Sequence, residues 1–531
     1  MSASGPAAPS GADRVGSCCF VLHAHLPWLA HAGAWPVGEE WLHQAWAGAY
    51  LPVVDVLDRL AAEGRRDLLT LGVTPVLAAQ LDDPYCLREL HTWLGFWQVR
   101  AEGLADRREP HLRALGGYEF RLATRALAAF ESRWASGATP VLRELADAGA
   151  VELLGGPATH PFQPLLDEPV AGFQLATGLD DGALRLGRRP EGIWAPECGY
   201  RPGLEAMYAG AGVRRFLADG PTLIAGAPHA DERLDAVATA DAWTVGDSDV
   251  VVLGRDLDVT YRVWSPRRGY PGGPAYRDFH ALDHPSGFRP ARVTGLGVPP
   301  ERKAPYEPAA ALAAVRADAE DFAGVVRRRL LDVAAARGRP GLVVVAYDAE
   351  LFGHWWHEGP VWLEAVLRLL PEVGVRVTTL RAAVADGAVA GRVDLPPGSW
   401  GSGKDWRVWD GPAVAGLAAD STRVQRRLLD VVGRALLPGA GDRRERRPDL
   451  DQLAREALLV TSSDWAFMVT KDSAAGYARD RAAGHAAGFD RLADLVERGD
   501  RAAALREAAA LRAVDGPFGH LDARRIAGPP H

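Results

Sequence analysis

Short apolar runs, each closed by turn residues and separated by longer helical stretches, constrain this chain most. They lie at residues 17–22 (SCCFVL), 68–73, 151–154, 192–194, 215–218, 250–253, 341–346 (GLVVVA) and 375–378. Apolar strands alternating with helices predict parallel βα units, with 375–378 as the last barrel strand. In such folds the chemistry gathers beyond the carboxyl ends of the strands. Four of these runs lead into polar and aromatic clusters: HAHLPW, GGPATHPF, WAPECGY and YDAELFGHWW. Packing alone does not call for such clusters at several independent strand ends.

Composition narrows the class further. With 531 residues, 48% of them hydrophobic, the chain has material for more than one domain. The scattered 58 Gly and 38 Pro and the 24% charged fraction exclude collagen-like and wholly disordered chains. No apolar run reaches about 18 residues, so no membrane-spanning helix is expected. A formal charge of −8 carries no nucleic-acid footprint. Residues 1–16 are rich in Ser, Ala, Gly and Pro and lack a secretory layout, so they read as a flexible N-terminus. Four cysteines in so long a chain are no disulfide framework, and a cytoplasmic protein with reduced thiols is expected. Residues 84–148 and 309–336 read as helical. The stretch 394–403 (DLPPGSWGSG) marks a boundary, beyond which the chain is helical again, with 443–448 as a charged link.

Several side chains stand where chemistry is expected. His23 and His25 are spaced i, i+2 at a strand end and share a face; metal binding, sugar binding and plain packing all remain open for them. His160 follows a Gly-rich strand end. Glu197 lies between Trp194 and Tyr200. Asp348 follows the apolar run 341–346, where shielding from water raises a carboxyl pKa. Glu197 and Asp348 form a candidate pair for glycoside chemistry. Glu350, His354 and Glu358 are neighbours able to orient the site, with Glu358 read as a helix-start cap and surface charge. Trp28, Trp35, Trp41, Trp264, Trp355, Trp356, Trp400, Trp409 and Trp465, many of them in Gly/Pro-flanked loops, suit a groove of stacking subsites. Lys303, Lys404 and Lys471 are the only lysines in an arginine-dominated chain, each near a loop or aromatic motif.

With these residues in view, the sequence resembles glycoside hydrolase family 57. The resemblance rests on LHAHLPW (22–28), GAWPVGEEW (33–41), GVTPVLAAQL (72–81), GGPATHPF (155–162), GIWAPECGY (192–200), GRDLDVTYRVWSPRRGYPG (254–272), AYDAELFGHWW (346–356), GSWGSG (398–403) and TSSDWAFMV (461–469). It implies an α/β fold, a distorted (β/α)7 barrel over 17–392 with a helical insertion at about 84–148 and a helical C-terminal domain over 393–531. It implies a retaining enzyme that needs no metal or other cofactor and makes α-1,6 branches in an α-1,4-glucan. Matched by motif, Glu197 is the nucleophile and Asp348 the general acid/base. His23, His25, His160, Trp35, Trp41, Trp264, Trp400, Trp409, Asp464 and Trp465 fall to substrate binding.

One departure stands out. Branching members of the family resemble one another in a tyrosine-bearing loop before GRD. Residues 219–249 hold no tyrosine here, and Trp243 is their only aromatic. Either Trp243 takes the lid role, and on that reading joins the substrate-binding set, or the lid is incomplete, with weak branching and raised hydrolysis. In a retaining enzyme the Glu197 and Asp348 carboxyls are expected about 5–5.5 Å apart.

The same two carboxylates also suit an α-amylase or a 4-α-glucanotransferase. A metal-dependent hydrolase using His23, His25, His160 and Asp348, or a non-catalytic glucan-binding module, are readings of other classes. The expected partner is an α-1,4-glucan polymer, with no nucleic acid and no membrane.

Overall fold

The nine residues of β1 (Gly16–Ala24) organise the architecture. The computed structural model describes residues 14–34, 37–227, 237–265, 269–436 and 445–527. One edge of β1 pairs in parallel with β8 (Gly341–Asp348), in register from Gly16 opposite Gly341 to His23 opposite Asp348. The other edge is shared. Its first half carries β9 (Val375–Thr378) and its second half β2 (Leu69–Val73). β3 (Val151–Leu154) continues the sheet from β2. A parallel bridge between Gly155 and Ile193 then leads to β4 (Gly192–Ile193), β5 (Arg215–Ala218) and β7 (Val251–Gly254). Beyond β7, the Asp256 N–H donates to the Val344 carbonyl of β8 at 2.8 Å.

Strands β1, β2, β3, β4, β5, β7 and β8 thus form a ring of seven parallel strands. The ring is distorted because its ladders break at the β3/β4 and β7/β8 seams, leaving two five-stranded sheets. β6 (Ala242–Val245) runs antiparallel to β7, and β10 (Val389–Val393) pairs with β6 outside the ring. The expected last barrel strand, 375–378, is β9, and it too stands outside the ring. β1 is long enough to hold two neighbours on one edge, so the ring closes from β8 to β1 without it.

The strands form where β-branched residues cluster. Val343, Val344 and Val345 are fully buried, as parallel strands covered on both faces require. Helices Pro84–Ala105, Pro110–Ala129 and Ala138–Asp147 occupy the stretch expected to be helical. Helix Pro308–Arg337 packs on β8 and on helix Gly359–Glu372. After β10 come helices Ala415–Ala435, Pro448–Val460, Ser463–Lys471, Ala475–Glu497 and Arg501–Arg512. Helix Pro448–Val460 is buried from Asp449 to its end. Its Leu450, Leu453 and Leu458 belong to the same apolar cluster as Leu22 and Val345 of the barrel.

Of the stretch read as a flexible N-terminus, residues 1–13 lie outside the described residues, and Gly16 already belongs to β1. All four cysteines are buried and free. Among the described residues, no helix is long and apolar enough to cross a membrane.

Candidate active site

The parallel register sets His23 directly opposite Asp348 at the carboxyl ends of β1 and β8. In register on parallel strands, the two side chains share one face of the sheet. Glu197 arrives from β4 on a short 3-10 turn, Pro196–Cys198. Its backbone has φ 60° and ψ 19°, and Cys198 and His160 also have positive φ, 49° and 55°. Such conformations in non-glycine residues cost about 1–3 kcal/mol each and cluster where function over-determines the backbone. The turn is closed by the Cys198 N–H to Ala195 and the Gly199 N–H to Pro196, both at 2.9 Å. A side chain at Gly199 would meet the Phe162 ring at 2.6 Å, so glycine lets the two strand-end motifs pack together.

Both Glu197 carboxyl oxygens are held. The Trp400 indole N–H donates to Oε2 at 2.7 Å, and the Ser463 hydroxyl donates to Oε1 at 3.1 Å. Ser463 Oγ also lies 2.9 Å from His160 Nδ1, and His160 Nε2 lies 3.0 Å from His23 Nε2. Because the Ser463 proton goes to Glu197, Ser463 Oγ must accept from His160 Nδ1–H. His160 Nε2 is then the acceptor for His23 Nε2–H. Burial, with the neighbouring imidazoles, pushes the pKa values of His23 and His160 down, so both rings are neutral as this chain of donors requires.

His25 is set differently. Its Nδ1 meets the Thr74 hydroxyl at 2.9 Å and its Nε2 meets both oxygens of Asp464, at 3.0 and 2.9 Å. Burial alone would lower the His25 pKa. The Asp464 carboxylate outweighs it, and the net shift is upward. Ser462 donates to Asp464 at 2.6 Å and fixes it in turn.

Asp348 has a different environment from Glu197. Among the described residues, no hydrogen bond reaches its carboxyl. Burial, reinforced by the charges of Glu350 and Glu197, pushes its pKa up to about 8. For Glu197 burial also raises the pKa, but the Trp400 and Ser463 donors pull back, and it stands at about 6. Glu350 accepts from the Tyr50 hydroxyl and from the His25 backbone N–H, and burial brings it to about 7. Tyr50 ends a π-helical turn, Trp46–Tyr50, a local irregularity frequent at functional sites. That turn approaches Gly353 so closely that a side chain there would overlap the Gly48 carbonyl.

Of the residues expected at the site, the structure brings together Glu197, Asp348, His23, His25, His160, Asp464 and Trp400. Trp264 is exposed, 5.8 Å from Trp355, and Trp41 is half-buried beside Tyr477. Trp35 lies outside the described residues. Trp409 and Trp465 are interior: Trp409 stacks on Phe162 at 4.3 Å, and the Trp465 indole donates to the Leu459 carbonyl. Neither offers a free face to a sugar. Trp243 is a residue of β6, paired to Val252 and Gly391 on its two sides, with its indole N–H on the Ala238 carbonyl. A residue locked into two ladders cannot swing over a site. Glu358 is buried and accepts from the Arg277 backbone N–H, so it is neither a side-chain cap nor a surface charge. Sequence reasoning passed over Ser463 and Tyr50, which hold Glu197 and Glu350 in place. Ser463 sits inside the TSSDW segment; Tyr50 carries no sequence signal.

The ligand-capable atoms of His25, His160 and Asp464 lie within 4.8 Å of one another. The two imidazoles are stacked, with centroids 3.7 Å apart, so their in-plane lone pairs point side by side rather than at one centre. His25 Nε2, His160 Nδ1 and His160 Nε2 already have partners in Asp464, Ser463 and His23. This donor set fits a hydrogen-bond network better than a tetrahedral metal centre.

The sequence pattern described as glycosyl hydrolase family 57 matches residues 19–396. The chain belongs to glycosyl hydrolase family 57. The pattern described as 1,4-alpha-glucan branching enzyme, C-terminal, matches residues 421–525, which carry Ser463 and Asp464. The chain is 53% identical over 523 residues to a probable 1,4-alpha-glucan branching enzyme of Mycobacterium tuberculosis, covering 96% of this chain and 97% of that one. It superposes on the crystal structure of a family 57 branching enzyme from Pyrococcus horikoshii with a TM-score of 0.88 and 31% identity, covering 97% and 98% of the two chains. The α-amylase AmyC of Thermotoga maritima shares the fold, with a TM-score of 0.85, 24% identity and coverage of 98% and 100%. This family 57 member therefore has the distorted barrel and helical C-terminal part that its motifs imply.

Proposed function

We propose that the chain is a 1,4-α-glucan branching enzyme working by retaining double displacement, with Glu197 as nucleophile and Asp348 as general acid/base. The unequal treatment of the two carboxyls carries the assignment. Glu197 is held by two donors that favour its ionised form. Among the described residues Asp348 has none, and it stays protonated to about pH 8. Glu197 attacks the anomeric carbon while Asp348 protonates the departing glycosidic oxygen. The cut chain is then a β-linked ester on Glu197. Asp348, now a base, takes the proton from a 6-hydroxyl of an acceptor chain. That oxygen attacks the face opposite the ester and restores the α configuration as an α-1,6 bond.

His25 and Asp464, hydrogen-bonded to each other beside Glu197, suit sugar hydroxyls, and Trp41, Trp264 and Trp400 supply flat apolar faces. The barrel, about 17–392 with the helical insertion 84–148, supplies both carboxyls. The helical part, 393–531, contributes Trp400, Ser463 and Asp464. A cytoplasmic glycogen- or amylose-like polymer is the substrate that fits, in keeping with four free thiols.

Linear amylose tests this reading. The products should show new α-1,6 linkages with few new reducing ends. Reducing ends without branches would move the assignment to an amylase on the same two carboxyls. New α-1,4 bonds alone would move it to a 4-α-glucanotransferase.

A further inference from the structure

Behind Trp400 lies a cluster of three charges, two of them buried and the third, Lys404, partly exposed. Asp219 is fully buried at the end of β5. Its Oδ1 accepts from Arg255 Nε at 2.9 Å and faces Arg255 Nη2 at 2.7 Å. Its Oδ2 meets Lys404 Nζ at 2.7 Å. The Arg255 guanidinium stands 5.3 Å from the Trp400 ring centroid, and Lys404 Nζ donates to the Trp400 carbonyl at 3.2 Å. The Trp400 backbone N–H donates to the Glu197 carbonyl at 2.8 Å, and its indole N–H to Glu197 Oε2.

We propose that Asp219, Arg255 and Lys404 form a clamp that positions Trp400 and, through its indole N–H, orients Glu197 for attack. One carboxylate between two cations leaves a net positive charge beside the ring. A cation near an aromatic ring draws on its π density, and that strengthens the indole N–H as a donor. Lys404 has φ 61°; its Nζ pairs in charge with Asp219 Oδ2 and donates a hydrogen bond to the Trp400 carbonyl. A compact ammonium on a flexible stem suits this double contact. These are positioning residues: none of the three hydrogen-bonds the Glu197 or Asp348 carboxyl, and Asp219 and Arg255 are buried. The clamp rests on the reading of Glu197 as the attacking carboxylate.

The test follows amylose consumption by loss of iodine colour against pH, a readout of α-1,4 cleavage that does not depend on which linkage is then made. Glu197 is also faced by Asp348 from β8, by His25 just beyond β1, and by His160 and Asp464. The full-length variants Lys404→Met and Asp219→Asn leave all of these in place. Lys404→Met removes a cation and loosens Trp400. It should lower kcat about ten-fold with KM within about two-fold, and move the acid limb up by about half to one pH unit. Asp219→Asn removes the anion between two cations; kcat should again fall, but the acid limb should move down. In a Trp400→Phe background the Lys404→Met effect on kcat should shrink to less than about two-fold, since coupled residues are non-additive.

Loss of melting temperature with both acid limbs unmoved, or full additivity with Trp400→Phe, would overturn the clamp. If Asp219→Asn does not fold, the Lys404→Met limb and the Trp400→Phe cycle decide alone. Activity retained by Glu197→Gln would instead overturn the reading of Glu197, and the two failures are told apart by that variant.

Discussion

The ends of β4 and β8 each deliver a buried carboxyl to the same cluster of side chains, yet they treat it in opposite ways. At the β4 end the backbone bends through two successive left-handed residues, Glu197 and Cys198, and the carboxylate receives an indole N–H and a serine hydroxyl. At the β8 end Asp348 closes a regular strand, receives no donor among the described residues, and faces a second carboxyl, Glu350. Burial raises both pKa values. The Trp400 and Ser463 donors hold Glu197 back to about 6, while the charges of Glu350 and Glu197 add to burial and carry Asp348 to about 8. Two chemically similar groups become a nucleophile and a proton carrier through their neighbours, the arrangement expected where titratable groups are pushed apart for acid/base work.

The comparison breaks most directly at its centre. Glu197→Gln keeps the shape and both donors but removes the attacking charge, and turnover should vanish while the fold persists by circular dichroism. Measurable turnover would mean that the β4 end does not supply the nucleophile. Asp348→Asn should cost about 10²–10⁴-fold in kcat on amylose. With a leaving group that needs no proton, the ester should still form quickly and accumulate.

A pH profile sharpens the comparison. The reaction needs Glu197 ionised and Asp348 protonated. kcat/KM should therefore rise with pH through about 6 and fall through about 8. Glu350→Gln removes the charge that most raises Asp348 after burial, so the basic limb should move to lower pH, by about one unit, with the acid limb moving less. A basic limb that stays in place would remove Glu350 from the account.

Aromatics give a smaller contrast. Trp409→Ala should cost about 3–5 kcal/mol of stability, since it vacates a buried stack on Phe162. Its kinetics on glucan should be nearly unchanged when measured well below the melting transition. Trp264→Ala should do the reverse, with little loss of stability and weaker use of long chains.

These contrasts show where the sequence was readable. Strand ends were legible because an apolar run followed at once by His, Glu or Asp has no packing reason, and HAHLPW, WAPECGY and YDAELFGHWW bring His23, His25, Glu197 and Asp348 together. The β9 position was not, because nothing local tells that β1 is long enough to hold two strands on one edge. Trp409 and Trp465 lie in Gly- and Ser-flanked segments that look like groove loops. Their burial depends on Phe162 and on the helices around 414–482, which only the tertiary structure brings near. Trp243 looked like a lid because its loop lacked another aromatic, but the β6 pairing is non-local. Ser463 reaches Glu197 across 266 residues of sequence, a contact no local pattern announces.

The most direct test of the division between the two strand ends is the anomer formed with azide. An α-glucosyl fluoride donor needs no acid to depart. In Glu197→Ala, azide should occupy the vacated face and give the β-glucosyl azide. In Asp348→Ala, Glu197 should still form its ester, and azide should then displace it to give the α-glucosyl azide. That pairing of variant and anomer is the predicted result. The opposite pairing, or the α-azide from Glu197→Ala, would contradict the assignment of nucleophile and acid/base to the β4 and β8 ends.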